Sequence, residues 1–104
     1  DTERDQAGCH QSIGEALTGM SRYEEAIARQ EKALAMFLQI KHTERDQAGC
    51  HTNIGNALYG MVRYEDGIAR HGKALAMFAK ILGTERDRAA CEGNIGVALW
   101  HMAC

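Results

Sequence analysis

Cysteine and histidine stand side by side twice, as Cys9-His10 and Cys50-His51. A thiol and an imidazole together make a good zinc pair. Adjacent helical positions project about 100° apart, so one such pair chelates poorly. The third copy breaks the pair and reads Cys91-Glu92. Cysteine as a small buried hydrophobe and histidine as a half-buried packing residue account for the pattern. No metal and no cofactor is expected. The acidic pairs Glu24-Glu25 and Glu65-Asp66 open helices, where carboxylates favour the positive end of the helix dipole. No serine or cysteine nucleophile has a plausible base, no glycine-rich loop could cradle a phosphate, and no carboxylate pair is set for acid–base work. The chain therefore reads as non-enzymatic. Met20, Met36, Met61, Met77 and Met102 recur at helical spacing and suit core filling better than a soft-metal site. His42, His71 and His101 match no motif, and polar surface or groove roles suffice for them.

Composition narrows the rest. A chain of 104 residues is one domain. Apolar residues at 45% and charged residues at 25% are ordinary for a globular fold and exclude disorder. The net charge of −2 argues against nucleic acid as a partner. No apolar run is long enough to span a membrane. Proline is absent, so the chain can be helical from end to end. It opens at Asp1 with no initiator Met and no signal-peptide pattern, and reads as a piece of a longer chain or an engineered product. A cytoplasmic setting is expected from the missing signal peptide and from cysteines that look reduced.

The phrase Thr-Glu-Arg-Asp opens at Thr2, Thr43 and Thr84, a period of 41 residues. Residues 2–42 and 43–83 are full units, 28 of their 41 positions being identical, and residues 84–104 repeat the first half. A repeat of this length implies units that stack on their neighbours. Each unit reads as two helices. Thr43 suits an N-cap, with Asp46 as a short-armed capping box. Cys50, Ile54, Ala57, Leu58 and Met61 then recur every three or four residues. A break at residues 60–63 precedes a second run through Ile68, Ala74, Leu75, Phe78 and Ile81. Gly83 serves as the C′ residue that ends it. The spacing predicts helices near 2–20, 23–40, 43–61, 64–81 and 84–102.

The phrases Asn53-Ile54-Gly55-Asn56-Ala57-Leu58, Arg63-Tyr64-Glu65-Asp66-Gly67-Ile68 and Lys73-Ala74-Leu75 resemble the tetratricopeptide repeat. The repeat's pattern falls on His51, Ile54, Gly55, Leu58, Gly67 and His71 in the second unit. In the first it falls on His10, Ile13, Gly14, Leu17, Ala26 and Gln30, and in the third on Glu92, Ile95, Gly96 and Leu99. The departures are His or Glu at the Trp site, Gln30 or His71 at the Phe site, and Leu38 or Ala79 at the closing Pro. The unit also exceeds the usual 34 residues, and looks like the long variant of kinesin light chains. The resemblance implies an all-α, right-handed α-solenoid of two and a half helix–turn–helix repeats, five helices in all. Gly14, Gly55 and Gly96 cost roughly 1 kcal/mol each inside a helix relative to alanine. That cost is tolerated where a neighbouring helix approaches closely, with Ala33 and Ala74 as its small partners. Stacking at about 10 Å would hold the repeat cysteines beyond shared-ligand and disulfide reach. Cys9, Cys50 and Cys91 are thus expected reduced, buried and unbridged, and Cys104 exposed and open to intermolecular oxidation.

On a helical wheel Cys9, His10, Ile13, Ala16, Leu17 and Met20 form the packing face. Gln11, Ser12, Glu15 and Thr18 lie opposite. These four become Thr52, Asn53, Asn56 and Tyr59 in the second unit, and Gly93, Asn94, Val97 and Trp100 in the third. Divergence is thus concentrated on one polar face, which in tetratricopeptide arrays lines the concave peptide groove. Gln11, Ser12, Glu15, Thr18, Thr52, Asn53, Asn56, Tyr59, Asn94, Val97 and Trp100 are the expected groove, and a protein or peptide is the expected partner. With no Lys or Arg among them, the carboxylate clamp of chaperone-tail binders is missing. The runner-up is a structural self-association module. Ile95, Leu99 and Met102 would then pair the last helix with another copy as a homodimer.

Overall fold

Five proline-free runs of 15 to 19 residues form the five helices of the chain. The computed structural model describes residues 2–103, so Cys104 lies outside the described residues. The helices are α1 (Thr2–Gly19), α2 (Tyr23–Phe37), α3 (Glu44–Gly60), α4 (Tyr64–Phe78) and α5 (Glu85–Ala103). Each helix packs on the next, α1 also touches α3, and the whole measures 46 × 32 × 17 Å. The described residues are all-α, and no helix among them is long and apolar enough to cross a membrane.

The helix ends follow two recurring devices. After α1 and α3, a residue in the left-handed region closes the last turn: Ser21 (φ 62°) and Val62 (φ 62°). Arg22 N–H then donates to the Leu17 carbonyl, and Arg63 N–H to the Leu58 carbonyl, both at 2.9 Å. This six-to-one bond satisfies carbonyls that the helix end leaves open. After α2 and α4 the device is a buried threonine. The Thr43 hydroxyl is shared between the Phe37 carbonyl (2.6 Å) and the Ile40 carbonyl (2.9 Å). Thr84 does the same with Phe78 (2.6 Å) and Ile81 (2.7 Å).

These devices correct four expectations. Thr43 makes no side-chain cap to the helix that follows it, because its hydroxyl is spent on the helix before. Asp46 is no capping-box partner and pairs with Arg4 at 3.1 Å instead. The second helices stop at Phe37 and Phe78 rather than near 40 and 81, since Ile40 and Ile81 already close tight three-residue turns. Gly83 therefore lies five residues past the end of α4, in a left-handed conformation (φ 77°), and is not its C′ residue.

The core forms two buried clusters. One joins Ala7, Ala33, Leu34, Phe37 and Cys50, with Met36 against it. The other joins Ala48, Ala74, Phe78 and Cys91, with Leu75 and Met77 against it. Each sits where a second helix meets the first helices on either side. Met20 and Met102 stand at the surface and fill no core.

The packing face of α3 is buried along its whole width, from Ala48 and Cys50 through His51, Ile54, Gly55, Ala57 and Leu58. In α1 only Ala7 and Gly14 are buried, while Cys9, Ile13, Ala16 and Met20 are exposed. The residue types match, but α3 lies between two second helices and α1 has α2 on one side only. Cys9 is therefore not the buried thiol expected from its repeat position.

Close approach at the helix glycines is real in two units, with different partners from Ala33 and Ala74. A Cβ on Gly14 would come within 2.6 Å of Gln30. A Cβ on Gly55 would meet His71 at 2.6 Å and the Gly67 carbonyl at 3.2 Å. At Gly96 nothing lies within 4 Å. Gly55→Ala is expected to destabilise by about 1–2 kcal/mol, overpacking outweighing helix propensity. Gly96→Ala is expected to stabilise by about 0.5–1 kcal/mol. Urea unfolding of both variants checks this. Equal shifts of one sign would show that helix propensity alone governs the register.

Candidate binding cleft

Polar positions that diverge between units converge first between α1 and α3. Glu15 and Thr18 from α1 and Asn53 and Asn56 from α3 line one open cleft of about 220 Å³. The Asn53 amide donates to the Glu15 carboxylate at 3.4 Å across it. Thr18 is turned partly inward, its hydroxyl donating to the Gly14 carbonyl at 3.1 Å. That back-bond is common for a helical threonine. Asn56 is exposed, and its side chain has no hydrogen-bond partner among the described residues.

Side chains of α3 also reach α5. The Tyr59 hydroxyl donates to the Asn94 carbonyl at 3.0 Å, and Thr52 lies 3.9 Å from the Cys91 sulfur. The Tyr59 ring packs over Gly67 and beside His71, with ring centroids 5.0 Å apart. Tyr59 thus belongs half to the wall and half to the packing, and burial pushes its phenol up. Tyr64 continues the ring contacts to His101 (stacked, 5.5 Å), which meets Trp100 edge-on (5.3 Å). Trp100 and Val97 remain exposed. Gln11 and Ser12 do not join the α1–α3 cleft. They line a wider depression of about 690 Å³ with Asp5, Cys9 and Ile13 of α1, Phe37 of α2 and Asp46 of α3. The expected self-association residues divide as well: Leu99 and Met102 are exposed, and Ile95 is half-buried.

The Cys50-His51 pair serves two interfaces at once. Cys50 enters the cluster formed with α1 and α2, whereas His51 turns to α4 and accepts from Arg70 at 3.3 Å. Arginine can only donate, so Nδ1 of His51 is the acceptor and the ring is neutral there. His10 and Arg29 repeat the arrangement at 3.2 Å. Burial, aided by the Arg70 and Lys73 charges, lowers His51 to about 4. Burial also lowers His10, with Lys32 and Arg29 adding to it. Burial, with the Asp46, Glu15 and Glu31 carboxylates, pushes the Cys50 thiol up to about 12. Cys91 is raised for the same main reason. A thiol and an imidazole shifted apart in this way do not form the thiolate–imidazolium couple of a nucleophile. Among the described residues no three His, Cys, Asp or Glu side chains converge to hold a metal ion.

Sequence reasoning gave His71 a polar surface or groove role, and the structure corrects this: it is fully buried between Gly55 and Tyr59. Its two ring nitrogens have no hydrogen-bond partner, and burial lowers its pKa. Gln30, its equivalent, is also fully buried and spends its amide on the Gln11 carbonyl at 2.9 Å. The signal was available, since both stand three residues before the buried Ala33 and Ala74 on one helical face. Comparison with family models, with characterised proteins and with solved structures finds no match for this chain.

Proposed function

We propose that the chain is a non-enzymatic, tetratricopeptide-like module, a right-handed solenoid of two and a half units that holds an extended peptide along α1, α3 and α5. The observation that carries this reading is the α1–α3 cleft, where Glu15, Thr18, Asn53 and Asn56 meet from positions that differ between units. Asparagine side chains offer both a donor and an acceptor to a peptide backbone. The Glu15 carboxylate favours a ligand that brings a cation or an N–H. Trp100, exposed further along the first helices, is an apolar anchor of the type that dominates recognition surfaces. Unbridged Cys9, Cys50 and Cys91 fit a reducing, cytoplasmic setting.

Selection from a displayed peptide library, followed by fluorescence anisotropy on the selected peptides, tests the proposal. Asn56→Ala and Trp100→Ala are each expected to weaken binding by about tenfold, with circular dichroism unchanged. Peptides that bind equally well to Asn56→Arg and Trp100→Ala variants would place recognition elsewhere and overturn the groove.

A further inference from the structure

The hydrogen bonds at the cleft between α1 and α3 leave it richer in acceptors than in donors. A carboxylate can only accept, so it is Nδ2 of Asn53 that faces Glu15, at 3.4 Å. The Asn53 amide oxygen then has no donor among the described residues. The Thr18 hydroxyl spends its single proton on the Gly14 carbonyl, so its oxygen offers only lone pairs. Asn56 adds a further amide without a partner. The Glu15 carboxylate is exposed and has no basic partner among the described residues, and none of the four side chains lining the cleft is basic.

The next junction along the first helices lacks this arrangement. The positions of Glu15, Thr18, Asn53 and Asn56 are taken between α3 and α5 by Asn56, Tyr59, Asn94 and Val97. There an amide replaces the carboxylate, and the Tyr59 hydroxyl closes on the Asn94 carbonyl at 3.0 Å. Among these positions the charge is therefore confined to the α1–α3 junction.

A cation with several N–H groups matches such a set. A guanidinium is planar and always charged, with five donors and no acceptor. It can pair with a carboxylate and still reach a neighbouring amide or hydroxyl oxygen. A lysine ammonium is a compact, more strongly hydrated charge and gives up more on leaving water. At about 220 Å³ the cleft is smaller than a pocket for a drug-sized ligand and suits one side chain. Resting on the reading of this face as a peptide groove, we infer that the α1–α3 cleft selects an arginine side chain of the bound peptide. Its guanidinium pairs with the Glu15 carboxylate and donates to the oxygens of Thr18 and Asn53.

Peptides from the displayed-library selection test this when each arginine is replaced in turn by lysine and by citrulline, the neutral isostere. Fluorescence anisotropy against the 104-residue chain reads the effect. One arginine position is expected to lose about tenfold in affinity with citrulline, and less with lysine. Against Glu15→Gln, which keeps an acceptor for Asn53, the arginine and citrulline peptides are expected to bind within about twofold of each other. Glu15 is exposed, and circular dichroism verifies that the variant folds like the parent. Peptides that are lost on Asn56→Arg but share no arginine overturn the inference and leave the groove standing. An arginine whose change to citrulline costs as much in Glu15→Gln as in the parent also overturns it, since its guanidinium then sits elsewhere. Peptides that bind the parent and Asn56→Arg alike, or a selection that yields no binding peptide, remove the groove itself and this inference with it.

Discussion

Phe37→Ala and Phe78→Ala are each expected to remove about 3–5 kcal/mol of stability. Each buried cluster contains one aromatic side chain, surrounded by alanines and a cysteine, with Leu34 added in the first. Alanines supply little transfer free energy of their own, so the phenyl ring contributes most of what each cluster gains. Its alanine neighbours cannot collapse into the space either, since their methyl groups are fixed to helix backbones. A domain of this size has about 5–15 kcal/mol in total, so either substitution takes a large share. Urea unfolding followed by circular dichroism reads the effect as a midpoint lowered by about 1–3 M. Leu82→Ala is the matched control, because Leu82 is 97% exposed and contributes no burial. A Phe78→Ala midpoint equal to that of the control would mean that the junction of α4 with α3 and α5 does not hold the fold.

Acidification from pH 7 to pH 4 is expected to lower the melting temperature by about 10–20 °C, with His51 the main cause. The folded pKa of His51, about 4, lies below the usual 6.5. The unfolded chain therefore binds the proton more tightly. Stability from this group is complete above pH 6.5 and is lost as the pH falls towards 4. At about 1.4 kcal/mol per pKa unit, the loss at pH 4 is on the order of 2–3 kcal/mol. His71 and His10 act in the same direction. Burial fixes the sign; Arg70 and Lys73 on α4 add to it by repelling the proton, and Glu31 on α2 offsets them only partly. His51→Gln keeps an acceptor for Arg70 and removes the proton site, so its melting temperature should fall less over the same range. Parallel curves for parent and variant would assign the acid sensitivity to other groups.

The helices were legible because the signals for them are local. Periodic apolar residues, missing proline and the Gly-Met-Ser-Arg and Gly-Met-Val-Arg breaks place the elements with ends correct to a few residues. The α2 and α4 ends were read three residues too long, since Ile40 and Ile81 keep the apolar spacing. Nothing local reveals that Thr43 and Thr84 bond backwards to Phe37 and Phe78. The cleft was legible in part. Glu15, Thr18, Asn53 and Asn56 share it as their wheel positions suggested, but Gln11 and Ser12 fall on another surface. A wheel gives direction around one helix and says nothing of the neighbour it leans toward.

What the sequence determined by itself is whatever depends on a residue and its own helix: the 41-residue period, the alternation of first and second helices, and the stripe that seeks cover. What only the tertiary structure decided is which members of that stripe obtain cover. Cys9 and Cys50 have the same flanking residues, yet one is exposed and the other buried. A Cβ on Gly55 would press on His71 and Gly67, while one on Gly96 in the same register would meet no neighbouring helix. His71 is enclosed without a polar partner, and His51, also buried, finds Arg70. Burial is a property of two surfaces that meet, so identical residues differ wherever one has a neighbouring helix and the other has none.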